Sequence, residues 1–526
     1  MTLARRSLLL GALGTIPLTR IARGQVAHRL TVVHLNDFHS RHEPVDARFQ
    51  ACAAGGGCYG GSARLAAAIA ATEAAAVADG RDPILLDSGD QFQGSLFFTA
   101  HHGAAELAVM HQVGTEAMAV GNHEFDKGPA TLASFIKAAR FPVLSCNIDA
   151  GADPDLRGLI RPWAMFDRAG IKVGVVGVTV EETSFLSSPG PLVRFSEAGP
   201  AVAKAAAAAR AAGAQLVLVL SHLGVERDRE LAGTVPGAPV WLGGHSHTLL
   251  SNGEAGAVLP HPTLAHGPAG TGLIVQAACF GRFLGRLDLD LAADGTVVAW
   301  GGDTHHVGLD TPEDPEVARI VAGFAAPLDA VRRREVGTLA ASMGNEECRA
   351  GECAIGNMIA DAMLAGAGGA QVALMNGGGI RTGLHAGAVS YGDVLGVMPF
   401  GNTLATLELS GADLRAALEH GIARIGQGGF AQVAGVREMY DMGRPEGDRL
   451  LSVSVRESGG EWAPLDPART YRVVTNDFMR RGGDGYDVLK DRARDAYDSG
   501  PILADLFADA VGTMPVPQVE GRIVRR

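Results

Sequence analysis

Apolar residues along this chain gather into short runs that stop abruptly at polar side chains, and the pattern is sharpest in the first half. Leu30-Thr31-Val32-Val33-His34-Leu35 ends at Asn36-Asp37-Phe38-His39, and Pro83-Ile84-Leu85-Leu86 ends at Asp87-Ser88-Gly89-Asp90. Glu116-Ala117-Met118-Ala119-Val120 runs into Gly121-Asn122-His123-Glu124-Phe125-Asp126. Leu216-Val217-Leu218-Val219-Leu220 stops at Ser221-His222, and Val240-Trp241-Leu242-Gly243-Gly244 at His245-Ser246-His247. Runs of this length, bounded by glycine and polar residues, read as buried strands. Alanine-rich segments between them, such as Ala63 to Ala78 and Glu197 to Ala212, are compatible with helices. The alternation predicts an α/β layered domain over residues 28–310, with its chemistry at the carboxyl ends of the strands.

Beyond it, residues 311–336 carry Pro312, Pro315 and the charged stretch Arg332-Arg333-Arg334-Glu335, and read as a connecting helix. Residues 337–526 have another texture, built on glycine turns: Asn376-Gly377-Gly378-Gly379-Ile380-Arg381, Val397-Met398-Pro399-Phe400-Gly401, and Asn476-Asp477-Phe478 followed by Gly482-Gly483-Asp484-Gly485-Tyr486. A length of 526 residues fits two domains rather than one core. The net charge of −12 excludes a surface made to coat a nucleic-acid polymer, so an anionic ligand needs local arginines or metals.

Residues 1–27 hold Arg5-Arg6, a short apolar run and small residues, the layout of a cleaved export signal. The paired arginines point to the twin-arginine route, with a general secretory signal as the alternative. The mature chain is then periplasmic or secreted, with no later membrane span and no lipid-anchor tail at its C-terminus. In that setting Cys52 with Cys58, and Cys348 with Cys353, are spaced for two short-loop disulfides, while Cys146 and Cys279 read as buried free thiols.

The polar strand ends carry carboxylate, amide and imidazole groups without thiolate, a donor set that suits borderline divalent ions. In an extended segment Asp37-x-His39 aims two side chains to one side, and His245-x-His247 repeats the arrangement. The donors are too many for one ion. Asp37, His39 and His247 would hold one, Asn122, His222 and His245 a second, and Asp90 would bridge them. Two ions roughly 3.5 to 4 Å apart can hold a hydroxide and neutralise charge on a phosphoryl group. His123, next to a ligand, is left to act on substrate, and Asp126 one helical turn on can orient it.

These blocks, Asp37-x-His39, Gly89-Asp90, Gly121-Asn122-His123-Glu124, His222 and Gly243-Gly244-His245-Ser246-His247, resemble the five signatures of the calcineurin-like metallophosphoesterases. The second half resembles the C-terminal domain of 5′-nucleotidases, and Asp90-Gln91-Phe92-Gln93-Gly94 and the Cys348-Arg349 to Cys353 loop look most like the ecto-5′-nucleotidase branch. The resemblance implies a four-layer αββα metallophosphoesterase domain, a connecting helix and a second α/β (α+β) domain that binds the nucleoside. It implies that His123 and Asp126 form the catalytic dyad and that the seven ligands hold two divalent ions (Zn, Mn or Co). It further implies that Phe400 and Phe478 sandwich the base, that Arg349, Asn376 and Arg381 contact phosphate and nucleoside, and that Asp484 holds the ribose hydroxyls. Such groups make physical sense in these roles, since stacked rings hold any flat base and arginines fork onto phosphate oxygens.

The activity so implied is exported, dimetal-dependent hydrolysis of nucleoside 5′-phosphates. Alternatives are a 2′,3′-cyclic-nucleotide phosphodiesterase with 3′-nucleotidase activity, a UDP-sugar hydrolase, a thiosulfohydrolase, and a surface binding protein without catalysis. The Phe400 and Phe478 pair with Gly482-Gly483-Asp484 argues against the thiosulfohydrolase, and the complete ligand set argues against the binding protein. Met479-Arg480-Arg481 departs from the small or neutral residues usual there, and its charge is expected to favour substrates with more phosphate.

Overall fold

The computed structural model describes residues 19–20, 25–45 and 57–526. The expected export signal, apart from short stretches at its end, and Cys52 of the expected Cys52–Cys58 bridge lie outside the described residues.

The first half is built on two sheets. One has the strands His28–Leu35, Asp82–Asp87, Ala117–Ala119 and Val143–Leu144 side by side and parallel, continued on its other edge by the antiparallel Phe283–Leu291 and Val297–His306. The other sets Leu216–His222 parallel to Ile171–Thr179 and to Val240–Leu242, which in turn runs parallel to Gly270–Val275. Residues from the inner faces of both sheets, among them Val32, Leu86, Ala119, Val175, Leu218 and Leu242, form one core. Their outer faces are covered by helices: Leu65 and Ile69 of Ser62–Ala78 pack on Val33 and Leu85, and Val202, Ala206 and Ala209 of Ala198–Ala211 pack on Val217 and Val219. These layers are the expected αββα architecture. Side chains buried on both faces explain why the strands read as continuous apolar runs.

The connecting region is two helices rather than one, Pro315–Ala325 and Leu328–Arg332. Asp314 caps the first, its Oδ1 accepting from the N–H groups of Glu316 and Val317 at 3.0 and 2.8 Å. Pro327, which has no N–H to donate, separates them. Val317 packs against Ala66 and Val109, so the first helix belongs to the surface of the first domain.

The second half is organised by a five-stranded sheet ordered Ala431–Ala434, Val372–Asn376, Thr470–Asn476, Leu404–Ser410, Arg494–Tyr497. Alternate residues of one strand serve two cores: Ala373 and Met375 face the helices Ala354–Gly366 and Leu503–Thr513, while Val372 and Leu374 face Gly411–Ala423. Cys348 and Cys353 are joined as expected, with Cα atoms 5.2 Å apart. Cys279 is a buried free thiol, whereas Cys146 is half-buried. Among the described residues no helix is long and apolar enough to cross a membrane.

Candidate active site

All five predicted strand ends open at the same edge of the first domain, where its two sheets meet. The local backbone is not the extended chain that the Asp37-x-His39 and His245-x-His247 spacing suggested. Asp37, His39, Asp90, His245 and His247 all lie in the left-handed region, with φ of 51°, 51°, 58°, 70° and 53°. Such conformations disfavour side chains other than glycine and persist only where the surroundings impose them. Each donor therefore turns into the site from a tight loop. Gly121 is required for close approach, since a β-carbon there would fall on the carboxylate of Asp90.

Three groups of donors converge: Asp37 with His39 and His247, Asp90 with His222 and His245, and Asp90 with His39 and His123. Asp90 Oδ2 stands 3.0 Å from His222 Nε2 and 3.8 Å from His39 Nε2, so one carboxylate faces both halves of the cluster. His247 Nε2 lies 3.3 Å from Asp37 Oδ1 and 3.0 Å from His39 Nε2, and Asn122 Oδ1 lies 2.9 Å from His245 Nδ1. Asp90 Oδ2 and His222 Nε2, 3.0 Å apart, are buried with no hydrogen-bond partner beyond each other. Buried polar atoms left without partners but aimed at a common point fit a divalent ion. The remaining ring nitrogens are fixed by carbonyls, His222 Nδ1 on Ser88 at 2.7 Å and His39 Nδ1 on Phe92 at 3.2 Å, which presents Nε2 to the site.

Burial opposes charge on every group here, and neighbours decide the outcome. Burial takes His39 and His245 down to about 3, leaving them neutral donors. At His222 the carboxylates of Asp90 and Asp37 outweigh burial and push the ring up to about 10. His123 is likewise pushed up to about 9, against burial, by Asp126, Asp90 and Glu124. Its Nδ1 meets Asp126 Oδ2 at 2.7 Å, the predicted dyad, and Ser187 donates to the other carboxylate oxygen at 2.7 Å.

Several contributors escaped the sequence reading. The Glu124 carboxylate accepts from the backbone N–H groups of Asp90, Gln91, Phe92 and Gly121, and so ties the loop of the bridging carboxylate to the loop of Asn122 and His123. Its place inside the His123–Asp126 block was the available signal. Asp87 shapes the turn before Asp90, its Oδ1 accepting from Gly89 N at 2.8 Å. Tyr497 arrives from the second domain, its hydroxyl 2.9 Å from His123 Nε2 and 2.5 Å from Asn122 Nδ2. No local pattern marks it.

The second domain holds an open pocket of about 790 Å³ that gathers Arg349, Asn376, Arg381, Phe400, Phe478 and Asp484, every residue singled out there by resemblance. Phe478 is 42% exposed, and its ring lies against Gly483, where a β-carbon would strike it. The Arg381 guanidinium lies 5.6 Å from the centre of the Phe400 ring. Asn376 Nδ2 donates to Asp484 Oδ2 at 2.8 Å, while Asn476 Nδ2 holds Asn376 Oδ1 at 2.8 Å. A narrow gap lined by His39, His247, Phe400, Arg41 and Arg481 joins this pocket to the donor cluster. The extra charge read at Arg480 is already matched: its guanidinium grips both oxygens of Asp498, at 2.5 and 3.0 Å. Arg480 is thus a fastener of the strand end, and Arg481 lines the pocket.

A family model for calcineurin-like phosphoesterases matches residues 30–249, and one for the 5′-nucleotidase C-terminal domain matches residues 335–491. The 5′-nucleotidase of Homo sapiens is 32% identical over 94% of this chain and 91% of its own length. The chain belongs to the 5′-nucleotidase family. It is a metal-dependent phosphoester hydrolase of two domains. The trifunctional nucleotide phosphoesterase YfkN of Bacillus subtilis is 35% identical over 84% of this chain, which spans only 32% of that longer protein. A 5′-nucleotidase precursor from Thermus thermophilus, 38% identical, superposes with a TM-score of 0.60 over 94% of this chain and 99% of its own. The NAD nucleotidase of Haemophilus influenzae, at 23% identity, shares the fold with a TM-score of 0.83 over 95% of this chain and 99% of its own.

Proposed function

We propose that this 5′-nucleotidase family member is an exported, dimetal-dependent enzyme that hydrolyses nucleoside 5′-phosphates to nucleoside and phosphate. The observation that carries the reading is the junction of two unlike sites. A buried donor cluster whose oxygen and nitrogen groups suit divalent metal is joined by an arginine-lined gap to an open aromatic pocket. Asp37, His39 and His247 would hold one ion, Asn122, His222 and His245 the other, with Asp90 between them. The mixed oxygen and nitrogen donors suit Zn, Mn or Co. When bound, the ions supply Lewis-acid activation of water and neutralise charge on the phosphoryl group.

The chain's own residues do the rest. Phe400 and Phe478 take the base between them, a contact that tolerates any base. Asp484, steadied by Asn376, accepts hydrogen bonds from ribose hydroxyls. Arg349 and Arg381 at the pocket, with Arg41 and Arg481 in the gap, draw the phosphate toward the cluster, which an acidic chain would otherwise repel. His123, charged and oriented by Asp126, neutralises the phosphoryl oxygens and hands a proton to the departing ester oxygen. The Cys348–Cys353 disulfide supports an oxidising location, periplasmic or secreted.

The test is phosphate release by the purified chain with Mn, Co or Zn, across AMP, ADP, UDP-glucose, 3′-AMP and 2′,3′-cyclic AMP, with His123→Ala as control. Release from AMP that collapses in the variant supports the reading. Activity confined to the cyclic and 3′ substrates would replace it with a phosphodiesterase.

A further inference from the structure

Into the donor cluster the second domain sends a short segment, Tyr497 to Gly500, at the end of the edge strand Arg494–Tyr497. A phenol has one proton to give and two acceptor positions. Tyr497 uses all three: its hydroxyl donates to the Ser499 carbonyl at 2.9 Å, accepts from Asn122 Nδ2 at 2.5 Å, and meets His123 Nε2 at 2.9 Å. Its ring stacks on His245 with centres 5.2 Å apart and planes 22° apart. Beside it, Ser499 Oγ lies 3.4 Å from His247 Nε2, and the Gly500 carbonyl accepts from Gln93 Nε2 at 3.1 Å. One segment therefore touches a ligand residue of each half of the cluster and the dyad histidine.

We infer that Tyr497 is an internal stopper: its phenolic oxygen occupies the place where an oxygen of the phosphate ester must sit to receive hydrogen bonds from Asn122 and His123. This rests on the nucleotidase reading above. Asn122 gives the phenol only its Nδ2 hydrogens, and its Oδ1 remains turned to His245, so the stopper leaves the metal-facing atom of Asn122 in place. The segment is also fastened to its own domain. Asp498 is gripped by Arg480, and its carbonyl accepts from Thr403 Oγ1 at 2.6 Å. The nucleoside pocket meets the ligands at the narrow gap beside His39 and His247, whose free space of about 20 Å³ is too small for a phosphate, so a nucleotide held there has its phosphate outside the cluster while the phenol is seated. Hydrolysis then requires the whole strand end to withdraw with its domain, and the apparent affinity for any phosphate ester is reduced by the fraction of molecules in which it has done so.

The experiment compares the full metal-loaded chain with Tyr497→Phe, which keeps the ring and loses the oxygen, and with Asp498→Asn, which loosens the fastening from outside the cluster. Each is assayed on AMP and on p-nitrophenyl phosphate, a small ester that has no base for the second domain to hold. Hydrogen exchange over residues 494–500 is read in the same samples. The expected result is faster exchange in both variants, KM lowered and kcat/KM raised by about tenfold with p-nitrophenyl phosphate, with kcat retained. Unchanged kcat/KM in both variants would overturn the stopper, as would a loss of kcat in Tyr497→Phe, which would make the phenol a catalytic group. If the wild type hydrolyses neither ester, the nucleotidase reading fails instead, and the exchange rates alone decide whether the segment is held by this hydroxyl.

Discussion

At the strand ends of the first domain Asp37, Asp90, His123 and His222 are fully buried, whereas in the second domain Phe478 is 42% exposed and Arg349 and Arg381 lie at the surface. The cluster is made of groups that would repel or be expensively desolvated if they stood alone, so each is held by a left-handed turn, a carbonyl or a shared partner. The pocket asks less of the fold. Two rings and a carboxylate need only a glycine-rich rim, because stacking is sequence-tolerant and open to water until a base arrives. Chemistry at phosphorus demands pre-organisation in a dry site; capture of a nucleoside demands access.

Damage in the two places should therefore separate in the kinetics. The largest effect is expected for His123→Ala, a fall in kcat for AMP of about 10²- to 10⁴-fold with KM little changed. Glu124→Gln weakens the tie between the two catalytic loops, and should lower metal affinity or kcat by about 10- to 100-fold, read by metal titration alongside turnover. Phe478→Ala should do the converse, raising KM for AMP about tenfold by loss of base stacking, with kcat and p-nitrophenyl phosphate hydrolysis retained. A fall in kcat equal to that of His123→Ala would erase the distinction.

The smallest effect sharpens the contrast from the other side. Glu438, on the strand Val436–Tyr440, is buried with one carboxylate oxygen unpartnered, and burial, with Glu419 nearby, pushes it up to about 8. Its folded-state value is raised above 4.5, so ionisation opposes folding. Stability is then intact below pH 4.5 and falls as pH rises toward 8. Glu438→Gln should leave Tm unchanged at pH 4.5 and raise it by about 2 °C or more at pH 8. Burial and Asp90 push Glu124 up as well, to about 7, but its carboxylate accepts four backbone N–H bonds that an amide cannot all keep, so the same substitution there should not stabilise.

What could be read in the sequence follows the same line. The ligands were legible because all seven follow the ends of five apolar runs, and burial on both faces made those runs conspicuous. The turns that aim them were not, since nothing in Asp37-x-His39 marks a left-handed backbone that is imposed by neighbouring loops. Glu124 lay in plain view, but its four N–H partners come from two separate loops. Arg480 looked like spare charge because Asp498, which neutralises it, carries no pattern of its own. Tyr497 could not be found at all, since its meeting with His123 depends on how two domains lie together. The broken connecting helix, by contrast, had its sign in Pro327, which the charge pattern overshadowed.

The most direct test of the account is phosphate release from AMP by the full chain before chelation, after chelation, and with Mn, Co or Zn restored. The account predicts that release is lost with the metals and regained with at least one of them, to the extent of about two ions bound per chain. Release that survives chelation, or a fully loaded chain that leaves every 5′-nucleotide intact, would contradict it.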